Sequence, residues 1–219
     1  MDSASPARGL TALTFALLLS QFFRTCLGVM SPELQHDLQL SPAGFGSLSS
    51  CFFLAFGLAQ IPVGIAFDRF GVGAPARLLL MLGVVSGALF VFSPNGSTAM
   101  LAQVGLGLAC APVFMGLMHY AAERLSPQRF ATAISRANAL GMLGGLCATA
   151  PLGWAVQTVG WRPAIAVATL CMAMACLGVW RTVHDQGHAQ VQQESLVDML
   201  RTSVVLLGIR ERLLIEPFQ

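Results

Sequence analysis

The sequence contains no lysine, and charged residues of either sign are few. All twelve basic residues are arginine, and only 10% of the 219 residues are charged. A soluble domain carries about 25% charged residues, so this chain lacks the polar surface that keeps a folded domain in water. The missing lysine excludes the phosphate-binding loop G-x-x-x-x-G-K-[ST]. The net charge of +2 is too small, and too scattered, to indicate a nucleic-acid partner.

Catalytic and metal-binding patterns are also absent. The sequence has no G-x-S-x-G, no H-E-x-x-H and no paired carboxylates within its apolar runs. This excludes the common enzyme classes, and we expect no enzyme activity, no cofactor and no metal. Six cysteines occur inside apolar runs without C-x-x-C or Cys/His ligand spacing, which favours small packing residues over a disulfide framework. They are Cys26, Cys51, Cys110, Cys147, Cys171 and Cys176.

Long apolar runs dominate the remaining sequence. Hydrophobic residues make up 55% of the chain, and the mean hydropathy is +0.71. Six runs approach the length of about 20 residues that crosses a bilayer. Each should be a helix, because lipid offers no partners to backbone polar groups. The sequence predicts an all-α, polytopic membrane helix bundle of six transmembrane helices. The predicted spans are 10–30, 43–66, 76–93, 98–120, 134–157 and 163–180.

The first apolar run resembles a signal peptide at its start, but it continues past Arg24 to Met30 with no A-x-A cleavage site. We therefore interpret it as a retained first helix.

The distribution of arginine predicts the orientation of the chain. Ten arginines fall on one side of the predicted spans, one (Arg162) falls on the other, and Arg24 lies within a span. The loop 31–42, on the side of Arg162, is acidic and contains Glu33 and Asp37. Because arginine accumulates in cytoplasmic loops, both termini are predicted to be cytoplasmic. We expect a multi-pass protein of the cell (inner) membrane.

Two units follow from this reading, a six-span unit over residues 1–181 and a cytoplasmic tail over 182–219. The tail contains an apolar run of about ten residues, which is too short to span a bilayer. An amphipathic helix lying in the membrane interface fits its pattern. A disordered terminus fits equally well.

Two segments of the chain repeat the pattern P-x-G-x-A-x-x-x-x-G. The segment 62–71 matches the segment 151–160 at an offset of 89 residues. Three spans lie between the copies, so the second copy must face the opposite way across the membrane. An inverted three-plus-three repeat of this kind occurs within each six-helix half of some secondary transporters. Chance is the alternative, because glycine and alanine are abundant here.

The loop after the second span carries a family resemblance. Gly64-Ile-Ala-Phe-Asp68-Arg69-Phe-Gly71 resembles the signature G-x-x-x-D-[RK]-x-G-[RK]-[RK] of the major facilitator superfamily. Arg77 is the later basic residue of this loop, since Val72-Gly73 replace the basic pair. The resemblance implies an alternating-access transporter in which these five residues belong to an inner gating loop. The residues are Gly64, Asp68, Arg69, Gly71 and Arg77.

The resemblance also implies an N-terminal half, since the superfamily normally has twelve spans and six are predicted here. Such a chain is either truncated or paired with a second half or a second copy of itself. The leading interpretation is a secondary transporter half that moves a small solute. The alternative is a truncated, non-transporting fragment or a membrane interaction module.

Arg24 is the main candidate for solute binding. A charge within a span costs roughly 2.5–3.5 kcal/mol on insertion scales and marks a pathway by default. Gln21 shares its helix face, and Gln103 is predicted at a similar depth in the fourth span, where many superfamily members carry an arginine. In the resembling family, the first and fourth spans line the cavity. A guanidinium there suits an anionic solute with a carboxylate or phosphate. Alternatively, Arg24 reaches the outer surface or pairs with Glu33 or Asp37.

His119 and Glu123 form a second candidate pair, four residues apart near the inner end of the fourth span. They could relay a proton. A capping pair at the membrane interface is the competing interpretation.

Overall fold

The structure is a computed structural model that describes residues 6–183, and within that range it is helical with no strand. Nine helices occur there: α1 Pro6–Val29, α2 Ser31–Asp37, α3 Pro42–Phe70, α4 Gly73–Val91, α5 Gly96–Cys110, α6 Pro112–Arg124, α7 Pro127–Cys147, α8 Ala150–Val159 and α9 Trp161–Thr182. Apart from its first residues, the predicted tail 182–219 lies outside the described residues.

Six stretches of these helices are long and apolar enough to cross a membrane, which confirms the predicted bundle of six spans. They are Ala7–Val29, Pro42–Phe70, Gly73–Val91, Gly96–Arg124, Pro127–Val159 and Trp161–Thr182. The fourth combines α5 with α6, and the fifth combines α7 with α8. Pro112 opens α6, and its missing N–H interrupts the hydrogen-bond ladder of the fourth span. The interruption of the fifth span lies at Thr149, whose φ of −102° and ψ of −111° are not helical.

The predicted charged loop between the second and third spans is shorter than expected. Asp68 and Arg69 lie in the last turn of α3, which ends at Phe70, and Gly71 is its C-cap. Gly71 has a φ of 73° and donates its backbone N–H to the carbonyl of Phe67. Glycine adopts this positive φ without the strain that a Cβ would cause. The chain therefore reverses direction within about two residues.

The fourth span lies at the centre of the bundle. In its most apolar window 67% of residues are buried, whereas the corresponding share in the other five spans is between 28% and 44%. Its α5 packs against α3 and α4, and its α6 packs against α1. Helix α1 also packs on α7 and α9, and α4 packs on α9.

Glycines allow the closest helix contacts. A Cβ at Gly107 of α5 would overlap the carbonyl of Phe52 in α3, and a Cβ at Gly144 of α7 would overlap the carbonyl of Leu18 in α1. Small residues at such positions let helix backbones approach closely, which is how membrane helices gain packing energy.

The predicted inverted repeat extends over the whole second and fifth spans. The buried residues of α3 occur at 48, 52, 55, 59, 63 and 67. The buried residues of the second copy occur at 137, 141, 144, 148, 152 and 156, each 89 positions later. Gly160 ends α8 with a φ of 89° and donates its N–H to the carbonyl of Val156, as Gly71 does to Phe67. The inverted repeat is confirmed.

Contacts between helix ends define two sides of the bundle. On one side Gly9 of α1 lies against Tyr120 of α6, and the Arg77 guanidinium lies 5.8 Å from the ring centroid of Trp180 in α9. We call this side the arginine-rich end. On the other side Trp161 of α9 contacts Asp37 of α2. We call that side the Trp161 end.

Candidate functional site

Helix α1 presents Arg24 at the surface of the bundle. Nη1 of Arg24 donates a hydrogen bond to Oε1 of Gln21, 3.3 Å away and one turn earlier. The guanidinium carbon lies 4.8 Å from the ring centroid of Phe56 in α3. Phe56 in turn stacks on Phe52, with 6.3 Å between ring centroids. Packing against the ring holds the guanidinium in place by a cation–π interaction, while Arg24 itself stays exposed.

Arg24 has no acidic partner within residues 6–183. Among residues 6–183, no ion pair joins Arg24 to Glu33 or Asp37. Asp37 instead accepts a hydrogen bond from the indole N–H of Trp161. The charge of Arg24 is thus not neutralised by a carboxylate in the described part of the chain, and its remaining N–H donors are available to an anion.

Gln103 makes no hydrogen bond with Gln21 or Arg24 in the described part of the chain. It is only 1% exposed within α5. Its Oε1 is buried and has no hydrogen-bond partner among the described residues. A buried, unpaired amide oxygen is costly. The structure thus brings together two of the three predicted binding residues and buries the third.

The five predicted loop residues have different surroundings in the structure. Asp68 faces α6, where its Oδ1 lies 3.9 Å from Nε2 of His119. Arg69 is exposed at the end of α3. Arg77 donates from Nε to the carbonyl of Gly73 within α4 and lies over Trp180. A Cβ at Gly64 would find ordinary contact, 3.7 Å from the sulfur of Met115. In this loop, therefore, Gly71 alone has a backbone conformation that favours glycine.

His119 was predicted to act with Glu123, but it also reaches across to α3. Its ring lies 6.3 Å from the ring of Phe67, next to Asp68. The contact with Asp68 becomes an ion pair when the imidazole is protonated. Glu123 is exposed in the last part of α6.

Residues at the Trp161 end form a cluster that sequence reasoning missed. Nη1 and Nη2 of Arg162 donate to the carbonyls of Val91 and Ser93, at 2.6 Å and 3.1 Å. These carbonyls lie at the end of α4, where helices leave acceptors without partners. Nε1 of Trp161 donates to Oδ2 of Asp37 at 2.8 Å. The cluster joins α2, α4 and α9. The sequence identifies Arg162 as the one arginine predicted on that side of the membrane, but it does not predict that Arg162 binds the carbonyls of Val91 and Ser93.

The hydrogen bond from Trp161 holds the pKa of Asp37 below its ordinary value of 3.8. Since the folded state favours the carboxylate, the resulting stability is fully present above this value and is lost as the pH falls through the lower folded-state pKa. We expect Asp37→Asn to lower stability at pH 7, because it removes the carboxylate that accepts from Trp161. The expected loss is only about 1 kcal/mol, because the Asp37 side chain is partly exposed. In thermal melting experiments in detergent, the melting temperatures of the wild type and the variant should converge as the pH falls below the ordinary pKa of Asp37. A constant difference at every pH would contradict this role.

The family follows from comparison with known proteins. The model of the Major Facilitator Superfamily matches residues 13–215. The chain belongs to the Major Facilitator Superfamily. This confirms the resemblance drawn from the loop after the second span. The superfamily consists of transporters, in agreement with the prediction that the chain is not an enzyme.

Two superfamily relatives from Escherichia coli (strain K12) are similar over part of the chain. The probable galactarate/D-glucarate transporter GudP is 30% identical over 144 residues, which cover 63% of this chain and 32% of that protein. The probable L-galactonate transporter is 34% identical over 105 residues, which cover 46% of this chain and 22% of that protein.

A third relative is the probable galactarate/D-glucarate transporter GudP of Bacillus subtilis (strain 168), which is 23% identical over 209 residues. These residues cover 89% of this chain and 46% of that protein. The chain spans less than half of the length of these relatives.

A solved superfamily structure shares the fold. The bacterial homolog of the human lysosomal transporter Spinster, in an inward-facing and unoccupied conformation, matches with a TM-score of 0.73 and 18% identity. The match covers 90% of this chain and 47% of that chain. The bundle of six spans therefore corresponds to about half of a superfamily transporter.

Proposed function

We propose that this chain is a six-helix half of a secondary transporter for a carboxylate-bearing sugar acid. The observation that carries the proposal is Arg24, a guanidinium exposed on a membrane-spanning helix without a carboxylate partner in the described residues. A planar guanidinium binds a carboxylate through two parallel N–H donors. The relatives named for galactarate, D-glucarate and L-galactonate support the same class of solute.

In this proposal, Arg24 and Gln21 bind the acid group of the solute. The ring of Phe56 packs against one face of the guanidinium, and the N–H edge of the guanidinium faces the solute. Gln103 contributes only if α5 moves, since its side chain is buried in this conformation. Asp68 and Arg69 act as gating residues at the arginine-rich end. That end is proposed to face the cytoplasm of a cell whose inner membrane holds the protein.

Uptake by liposomes that contain the purified chain tests the proposal. We expect saturable uptake of radiolabelled D-glucarate, competed by galactarate but not by the uncharged polyol galactitol. A guanidinium site discriminates through charge, so galactitol serves as the matched neutral control. Equal competition by galactitol would contradict an arginine-based site.

A non-transporting fragment or membrane interaction module is the second candidate. Cross-linking and native mass spectrometry in detergent separate the two. A strict monomer whose liposomes show no uptake supports the fragment. A dimer with uptake supports a self-assembling half.

A further inference from the structure

An apolar groove opens between α3 and α4 near the arginine-rich end. It encloses about 340 Å³. Leu58, Pro62 and Ala66 of α3 form one wall, Pro75 and Leu78 of α4 form the other, and Leu108 of α5 lies at the base. The rim residues Leu58 and Leu78 are 76% and 69% exposed, so the groove opens toward the surroundings of the bundle.

The helix arrangement explains why this space is not filled. Helices α3 and α4 both pack against α5, which separates them. Pro62 lies inside α3 and Pro75 lies near the start of α4. Their short rings, together with the methyl group of Ala66, leave the space above Leu108 open. Every lining side chain is a hydrocarbon, so the groove offers no side-chain donor or acceptor to a polar ligand.

One positive charge lies at the end of this groove. Pro62, Ala66 and Arg69 are spaced four and three residues apart, which places them on one face of α3. Arg69 is exposed, and among residues 6–183 it makes no hydrogen bond or ion pair. The neighbouring Asp68 faces His119 on α6, and no ion pair joins it to Arg69 among the described residues.

We propose that the groove binds an anionic phospholipid, with an acyl chain between α3 and α4 and the phosphate at Arg69. The groove lies along membrane-spanning helices, where acyl chains are the surrounding solvent. The charged end lies where α3 leaves the apolar region, at the depth of lipid headgroups. A hydrocarbon tail with a terminal anion therefore matches both the lining and the charge. The proposal depends on the membrane-spanning bundle and not on the transported solute.

Native mass spectrometry of the full chain in detergent tests this binding. Phosphatidylglycerol and phosphatidylcholine with identical acyl chains are the probes. We expect the first bound phosphatidylglycerol to bind about fivefold more strongly, the effect of one arginine near a headgroup. Arg69→Gln should abolish this preference, and Arg69→Lys should keep it. Arg181→Gln, which removes an exposed arginine from the end of α9, should leave the preference unchanged.

A second pair of variants tests the groove itself. Ala66→Phe should fill it and reduce the binding of both lipids, whereas Val85→Phe, on an exposed position of α4 outside the groove, should not. A preference that survives Arg69→Gln, or lipid binding that survives Ala66→Phe, would overturn the proposal. A lipid-free dimer that Ala66→Phe dissociates would also overturn it, since a second copy would then occupy the groove.

Discussion

Arg24→Ala is expected to weaken the binding of D-glucarate to the purified chain by roughly tenfold to a hundredfold. Hydrogen bonds to charged groups contribute about 1.5–3 kcal/mol, and alanine removes the donors of Arg24 together with its charge. Isothermal titration calorimetry in detergent measures the effect directly. A binding measurement does not require the chain to complete a transport cycle, so it tests the site even if a second half is needed for uptake.

Two further variants distinguish the loss of the guanidinium of Arg24 from a general loss of structure. Arg24→Lys keeps the charge but loses the planar pair of donors, so we expect an intermediate affinity. Phe56→Leu keeps an apolar contact but removes the ring beneath the guanidinium, and it should weaken binding less than Arg24→Ala does. Wild-type affinity in a folded Arg24→Ala protein would remove Arg24 from the solute site.

Gly144→Ala is expected to destabilise the bundle by about 3 kcal/mol or more. The new Cβ would overlap the backbone carbonyl of Leu18, and a backbone atom cannot move aside as a flexible side chain can. Helices α1 and α7 would have to separate along their contact. Thermal unfolding of the purified protein in detergent, followed by circular dichroism, measures the loss.

Gly145→Ala provides a control one residue away. Its Cβ would lie 3.7 Å from Oγ1 of Thr25, an ordinary van der Waals contact. Alanine also favours the helix over glycine by about 1 kcal/mol. This variant should therefore be as stable as the wild type or slightly more stable. Equal behaviour of Gly144→Ala and Gly145→Ala would show that the close contact with Leu18 does not exist.

The two copies of the inverted repeat use one burial pattern with different side-chain volumes. Phe52 of α3 corresponds to Gly141 of α7, and Ala55 corresponds to Gly144. The larger residues of α3 fill space against α5, whereas in α7 Gly144 admits the backbone of Leu18 and Gly141 admits the side chain of Leu17. Side-chain volume therefore sets how closely each copy approaches its neighbour, while the positions that face inward stay the same.

The sequence by itself determined the helical spans and the family. Apolar runs of bilayer length must become helices, because a backbone in lipid has to satisfy its own hydrogen bonds. The segment Pro62–Gly71 and its second copy Pro151–Gly160 identified the inverted repeat. Each copy ends a helix at glycine, and such a helix end depends only on the local sequence. The pairing of Gln21 with Arg24 was also predictable, because residues three apart share a helix face.

Only the tertiary structure decided which residues from different helices meet. Asp68 faces His119 across α3 and α6, Asp37 accepts from Trp161, and Arg162 caps the end of α4. Gln103 is predicted at a similar depth to Arg24 as part of one polar site, and the structure buries it within α5. Hydropathy fixes the depth of a residue, but its direction depends on how each helix rotates to pack against its neighbours. That rotation is set by close contacts such as Gly144 on Leu18, which no spacing within one helix reveals.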